Sequence, residues 1–252
     1  MKKIYFIGAG PGDPELITMK GARLLREADV VVYAGSLVNP AVLSSLKDDC
    51  VRHDSAAMTL EDVMKVMLPA AQSGKTVVRL HSGDPSIYGA IREQLSILEE
   101  HGIAYEVVPG VSSFTAAAAS LGREYTLPGV SQTVILTRME GRTPVPAGQE
   151  IRSLAAHGAS MAIFLSVQMI DKVVDALLEG YAKNTPVAVV QRASWPQEFI
   201  IRGTLEDIAD QIKEHKITRS ALILVGDFLG DKYDLSLLYD GSFSHGFREA
   251  KE

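Results

Sequence analysis

The sequence predicts two α/β domains, the first with a parallel sheet and the second with a mixed sheet, and a ligand cleft between them. Three observations carry this expectation. Short β-branched runs alternate with segments of helical period, glycine turns follow directly on three of those runs, and a second strand–helix series begins after a pause near residue 125. The domains are expected over residues 1–122 and 123–252. A chain of 252 residues, 46% of them hydrophobic, is long and apolar enough to bury a substantial core, and disorder is excluded.

The elements follow in order. The apolar run Ile4-Tyr5-Phe6-Ile7 feeds into Gly8-Ala9-Gly10-Pro11-Gly12-Asp13-Pro14, and Leu16, Met19, Ala22, Leu25 and Ala28 then recur at helical spacing. Val30-Val31-Val32-Tyr33 completes a βαβ unit. Thr59 with Asp62 forms a capping-box pattern ahead of Val63, Val66, Met67 and Ala70, and Thr76-Val77-Val78-Arg79-Leu80 is the next strand. It runs into His81-Ser82-Gly83-Asp84-Pro85, a second Gly-Asp-Pro turn. A helix through Ile91, Leu95 and Leu98 ends at Gly102, before the strand Ala104–Val108. The turn Pro109-Gly110-Val111 leads to an alanine-rich helix with Ser112 or Ser113 as its N-cap.

In the second half, strands are expected at residues 133–136, 161–165, 187–190 and 221–225, with helices around Val173–Leu177 and Leu205–Ile212 and a cap at Thr204 with Asp207. Ser194-Trp195-Pro196-Gln197-Glu198 reads as a turn joining two antiparallel strands. From Lys232 the chain reads as a solvated tail.

In an open parallel sheet, ligands gather at the carboxyl ends of the strands, where all three glycine turns fall. The first turn is not a dinucleotide fingerprint, because Asp13 stands where the third glycine belongs and Pro11 removes a donor; nor is it a Walker loop, since no Gly-Lys-Ser/Thr follows. A net charge of −6 gives no broad attraction to nucleic acid, and no apolar run approaches the roughly 20 residues that span a bilayer. The single Cys50 allows no internal disulfide, the start is no signal peptide, and the histidines show no metal-site spacing, so a cytoplasmic protein without a metal centre is expected.

The three motifs, Gly8 through Thr18, Arg79-Leu80-x-x-Gly83-Asp84-Pro85-x-x-Tyr88-Gly89 and Val108 through Ser113, in this order resemble the tetrapyrrole methylases. Pro186-Val187-Ala188 and Ala221 through Gly226 resemble that family's second domain. Tyr33 through Asn39, His53-Asp54-Ser55-Ala56-x-Met58-Thr59 and Leu238 through Gly246 are similar to the branch acting on carbon 11 of precorrin-4 or cobalt-precorrin-4. The uroporphyrinogen-III branch carries an aspartate and a lysine where Ala34 and Ala56 stand.

The resemblance implies S-adenosylmethionine as methyl donor, S-adenosylhomocysteine as product, a tetrapyrrole substrate, the cobalamin pathway and a homodimer. It implies cofactor contacts at Pro11, Ser82, Gly83, Asp84, Ile87, Ser112, Ser113, Leu165, Ala193 and Ala221. Ser36, His53, Asp54, Tyr88 and Arg192 are the cleft candidates for acting on substrate, none of them a certain catalytic group. Substrate carboxylates would need local cations, and Arg79, His81, Arg92, Arg123, Arg138 and Arg192 lie in or near the loops, each expected singly to be a surface charge. A reading of another class is a regulatory protein that binds an adenosyl ligand without turning it over.

Overall fold

The computed structural model describes residues 2–250 and divides into two compact units. One comprises the chain up to Ala117 together with Arg192–Glu198; the other runs from Ala118 to Gln191 and from Phe199 onward. Sequence alone assigns Arg192–Glu198 to the second domain. The segment instead groups with the first, where its side chains hydrogen-bond to the Pro11–Asp13 backbone.

The first unit is a five-stranded, wholly parallel sheet of β1 (Ile4–Gly8), β2 (Val30–Tyr33), β3 (Val51–Asp54), β4 (Val77–His81) and β5 (Tyr105–Val108), in the order β3-β2-β4-β1-β5. Both faces are covered, which is why its central strands read as unbroken apolar runs. One face packs Ile7, Val31, Val78 and Leu80 against Leu24 and Leu25 of α1 (Met19–Glu27). The other packs Ile4, Phe6, Val32 and Val77 against Met67 of α2 (Leu60–Gln72) and Leu98 of α3 (Arg92–Glu100). β3 escapes the sequence reading because it is an edge strand whose Val51, Arg52 and Asp54 are exposed. It carries no buried apolar period to detect.

Two helix starts differ in their chemistry. The Thr59/Asp62 capping box closes as expected, the Asp62 N–H donating to Thr59 Oγ1 at 3.2 Å and the Thr59 N–H to Asp62 Oδ2 at 3.1 Å. α1 instead begins at Thr18, whose hydroxyl oxygen accepts from the Gly21 N–H. Of the expected apolar series, Leu25 and Ala28 are buried but Met19 is 92% exposed, and Gly21 and Leu24 join Leu25 in facing the sheet. Gly21 lies against Ile7, so the buried stripe contains a residue that hydrophobicity does not flag.

The second unit holds β6 (Val134–Arg138), β7 (Ser160–Phe164), β8 (Pro186–Gln191), β9 (Phe199–Thr204) and β10 (Ala221–Val225), in the order β6-β7-β10-β8-β9. β6 and β7 are parallel; β10 is antiparallel to both neighbours, and β8 pairs with β9 as the expected hairpin. One face packs against α5 (Ile151–Ala155), α6 (Ile170–Leu177) and α7 (Ile208–Glu214) through Ile151, Leu177, Ile208 and Ile212. α4 (Ser113–Leu121) spans the division between the units. Thr204 does not cap α7: Asp207 occupies that position, and its carboxylate turns back to accept from the Thr204 N–H and hydroxyl. The tail after Lys232 is exposed, yet it closes on itself, the Arg248 guanidinium donating to the carbonyls of Leu238, Asp240 and Phe243.

Candidate functional site

Because the first sheet is parallel, the loops after β4, β1 and β5 emerge side by side at one end. Their glycines make that end possible. Gly10 and Gly83 pair as an isolated bridge, the Gly83 N–H donating to Gly10 O at 2.8 Å, with positive φ of 78° and 62°. A Cβ on Gly110 would strike Gly83 O and lie 2.7 Å from Gly8 Cα. Three backbones therefore meet with no side chain between them.

Asp84 ties two of these loops together. Its Oδ2 accepts the Gly110 N–H at 2.8 Å, while Oδ1 accepts the Ser86 N–H and hydroxyl. Partial burial alone would raise its pKa, but the hydrogen bonds from Ser86 and Gly110 outweigh it and hold the carboxyl below its ordinary range. Ile87 is half-buried, its N–H on Asp84 O. The hydroxyls of Ser82, Ser112 and Ser113 hydrogen-bond to no group among the described residues, and Ser112 is buried. Bare glycine backbone beside uncommitted hydroxyls fits a ligand with a diol and a zwitterionic tail better than it fits a phosphate.

The Arg192–Glu198 segment completes the first loop. The Trp195 indole N–H donates to Pro11 O at 2.8 Å and the Asp13 N–H to Ser194 Oγ at 3.0 Å. A Cβ on Gly12 would strike the indole ring, and the Arg192 guanidinium lies 5.7 Å from the ring centre on its face. Ala193 is buried between Arg192 and Ser194, which both have positive φ, 51° and 67°. Sequence reading singled out Arg192 and Ala193 but took Ser194–Glu198 only as a turn. The available signal was that the chain's single tryptophan lies in it.

Of the cleft candidates, Asp54 holds the residue before Ser36: its Oδ1 accepts the N–H of Gly35 and of Ala56, both at 2.9 Å, so this carboxylate is committed to holding backbone. His53 is half-buried on β3, Ser36 is exposed, and Tyr88 is exposed with φ of 55°. In the second unit, Leu165 follows β7 with φ of 55° and 66% exposure, an unusual state for a bulky residue. The buried Ser166 enforces it, donating to Phe164 O at 2.6 Å and accepting from the Met139 N–H at 2.7 Å. Ala221, opposite Gln191 in register, lies at the same end of the second sheet as Leu165. Among the described residues, five of the seven non-glycine positions with positive φ, Tyr88, Ala90, Leu165, Arg192 and Ser194, follow the carboxyl ends of strands; strain gathered there marks working loops.

The family model of the tetrapyrrole (corrin/porphyrin) methylases matches residues 3–209. The chain belongs to this family. The tetrapyrrole methylases similar to it include a cobalt-precorrin-4 C(11)-methyltransferase of Methanocaldococcus jannaschii, 56% identical over 99% of this chain and 97% of that one. A precorrin-4 C(11)-methyltransferase of Pseudomonas aeruginosa is 48% identical over 97% and 98%. The solved structure of a cobalt precorrin-4 methyltransferase of cobalamin biosynthesis superposes with a TM-score of 0.89 at 46% identity, covering 91% of this chain and 96% of that one. A uroporphyrin-III C-methyltransferase of Thermus thermophilus, solved with S-adenosylhomocysteine, gives 0.76 at 29% over 90% and 98%.

Within this methylase the structure sorts the six cations. Arg123 pairs with Asp231 at 2.9 Å and Arg92 with Glu99 at 3.7 Å; Arg138 donates to the carbonyls of Met139, Thr143 and Pro144; and Arg192 lies on Trp195. Arg79 and His81 are not surface charges. Both point to the α2/α3 face of β4, where they are 8% and 6% exposed, because the central strand of a sheet covered on both sides has no solvent face.

Proposed function

We propose that the chain transfers a methyl group from S-adenosylmethionine to carbon 11 of precorrin-4, with or without cobalt in the ring, in cobalamin biosynthesis. The observation that carries this reading is full-length identity: relatives at 56% and 48%, covered almost end to end, bear that activity in their names. Ala34 and Ala56, in place of the aspartate and lysine of the uroporphyrinogen-III branch, favour it over methylation of uroporphyrinogen III.

When bound, S-adenosylmethionine supplies an electrophilic methyl carbon on a sulfonium. Pro11, Gly83 and the backbone around Ile87 offer close approach to it, Ser82, Ser112 and Ser113 offer free hydroxyls, and Ala193 a small apolar contact; Leu165 and Ala221 are the further contacts that the family resemblance implies. Asp84 holds the second and third loops in register, with both its oxygens already accepting hydrogen bonds. The acceptor is an electron-rich ring carbon, and charge disperses as the methyl moves, so alignment and exclusion of water can provide most of the acceleration. No side chain need act as a base. Ser36, His53, Tyr88 and Arg192 serve to place the macrocycle. A homodimer in the cytoplasm accompanies this reading, and sedimentation of the purified chain tests the dimer.

The test is incubation of the protein with precorrin-4 or cobalt-precorrin-4 and S-adenosylmethionine. The reading requires one added methyl per macrocycle and one S-adenosylhomocysteine released. Calorimetric binding of S-adenosylhomocysteine without turnover of either substrate would instead favour the regulatory reading.

A further inference from the structure

Arg79 is a buried cation without a counter-ion among the described residues. Its Nε donates to Gln94 Oε1 at 3.2 Å, and its Nη1 to Val32 O at 3.2 Å and Ser55 Oγ at 3.1 Å. All three acceptors are neutral. Its Nη2 makes no hydrogen bond among the described residues, and no carboxylate lies within ion-pair distance. Two residues on, His81 stacks on Phe6 with ring centres 6.0 Å apart, and its buried Nε2 has no partner. A charge withdrawn from water costs several kcal/mol unless an opposite charge answers it, and an orphaned buried nitrogen about 1–3 kcal/mol more. One cation and one imidazole, adjacent on the same strand end, are thus unmatched in the same direction of chemistry. Arg79 lacks a negative acceptor, and His81 Nε2 lacks any partner among the described residues.

We propose that Arg79 and His81 form a subsite for a carboxylate side arm of the substrate. The carboxylate accepts from Arg79 Nη2 and from a ring N–H of His81, neutralising the guanidinium while Gln94, Ser55 and Val32 hold it in place. The site lies at the carboxyl end of β4, directly before the Ser82–Asp84 loop, and the Gln94 amide also donates to Ala90 O at 3.0 Å. Filling the subsite is therefore coupled to the strained turn around Tyr88 and Ala90. The proposal rests on the reading of the substrate as a polycarboxylate macrocycle.

The deciding variant is Gln94→Glu, which sets a permanent carboxylate against Arg79 at nearly unchanged volume. Gln94→Met removes the same hydrogen bonds without adding charge. Ser55→Asp neutralises Arg79 from the other side, should Gln94→Glu not fold. In steady-state kinetics with precorrin-4, the subsite predicts that Gln94→Glu raises KM about tenfold or more, while Gln94→Met raises it far less. S-adenosylhomocysteine affinity should be retained in both. An unchanged KM in Gln94→Glu and Ser55→Asp, or an equal rise in Gln94→Met, overturns the proposal. Sodium acetate added to 15N-histidine-labelled protein provides an arm independent of turnover. The resonance missing from His81→Gln should shift with acetate in the wild type and not in Gln94→Glu; no shift in the wild type overturns the proposal. If neither tetrapyrrole is methylated, the functional reading has failed and the acetate arm alone decides the subsite.

Discussion

A single added methyl group distinguishes the glycine loops from ordinary turns. At Gly110 a Cβ would meet backbone atoms of Gly83 and Gly8, none of which can rotate away. Gly110→Ala is therefore expected to lower unfolding stability by about 3 kcal/mol, read from the urea midpoint, and to weaken S-adenosylhomocysteine binding. His81 makes a prediction in pH. Burial, and then the charge of Arg79, push its pKa down to about 3, against about 6.5 in an unfolded chain. Between those values the unfolded chain binds a proton that the folded chain refuses. The stability is thus fully present above about pH 6.5 and is lost as the pH falls toward 3. Denaturant unfolding at stepped pH should show a shallower acid loss in His81→Gln than in the wild type; parallel curves would contradict the assignment.

Among the elements, the loop between β8 and β9 tests how the first glycine loop is held. Trp195→Phe keeps the ring over Gly12 but leaves Pro11 O without its donor, a loss of about 1 kcal/mol or more. It should weaken S-adenosylhomocysteine binding several-fold and lower the thermal midpoint by about 2–4 °C; unchanged affinity would show that the loop is set without the indole. Thr59→Ala, which opens the capping box of α2, should cost about 1 kcal/mol in stability with ligand affinity unaltered. These elements also show what was legible in sequence. The central strands and the capping box announced themselves because apolar runs and the Thr-x-x-Asp spacing are local signals. β3 did not, being an exposed edge, and the α1 face was misread at its start, where Gly21 rather than Met19 meets the sheet. The Trp195 contact joins residues 184 positions apart, and no local pattern encodes such a meeting.

For the molecule as a whole, the glycine motifs and their order identified the family, because backbone approach demands glycine at fixed places whatever the surrounding sequence. They did not reveal that Asp54 and Asp84 are committed to backbone, nor that Arg79 and His81 are buried, since commitment and burial depend on the strands packed alongside. Together these features describe a methylase whose glycine loops are tied to one another through backbone and through Asp84. The most direct measurement is the position of the transferred carbon. With S-adenosylmethionine labelled with 13C in its methyl group and precorrin-4 as acceptor, carbon NMR of the product should place the label on ring carbon 11. Label on another ring carbon, or an unlabelled macrocycle beside a protein that binds S-adenosylhomocysteine, would contradict the account.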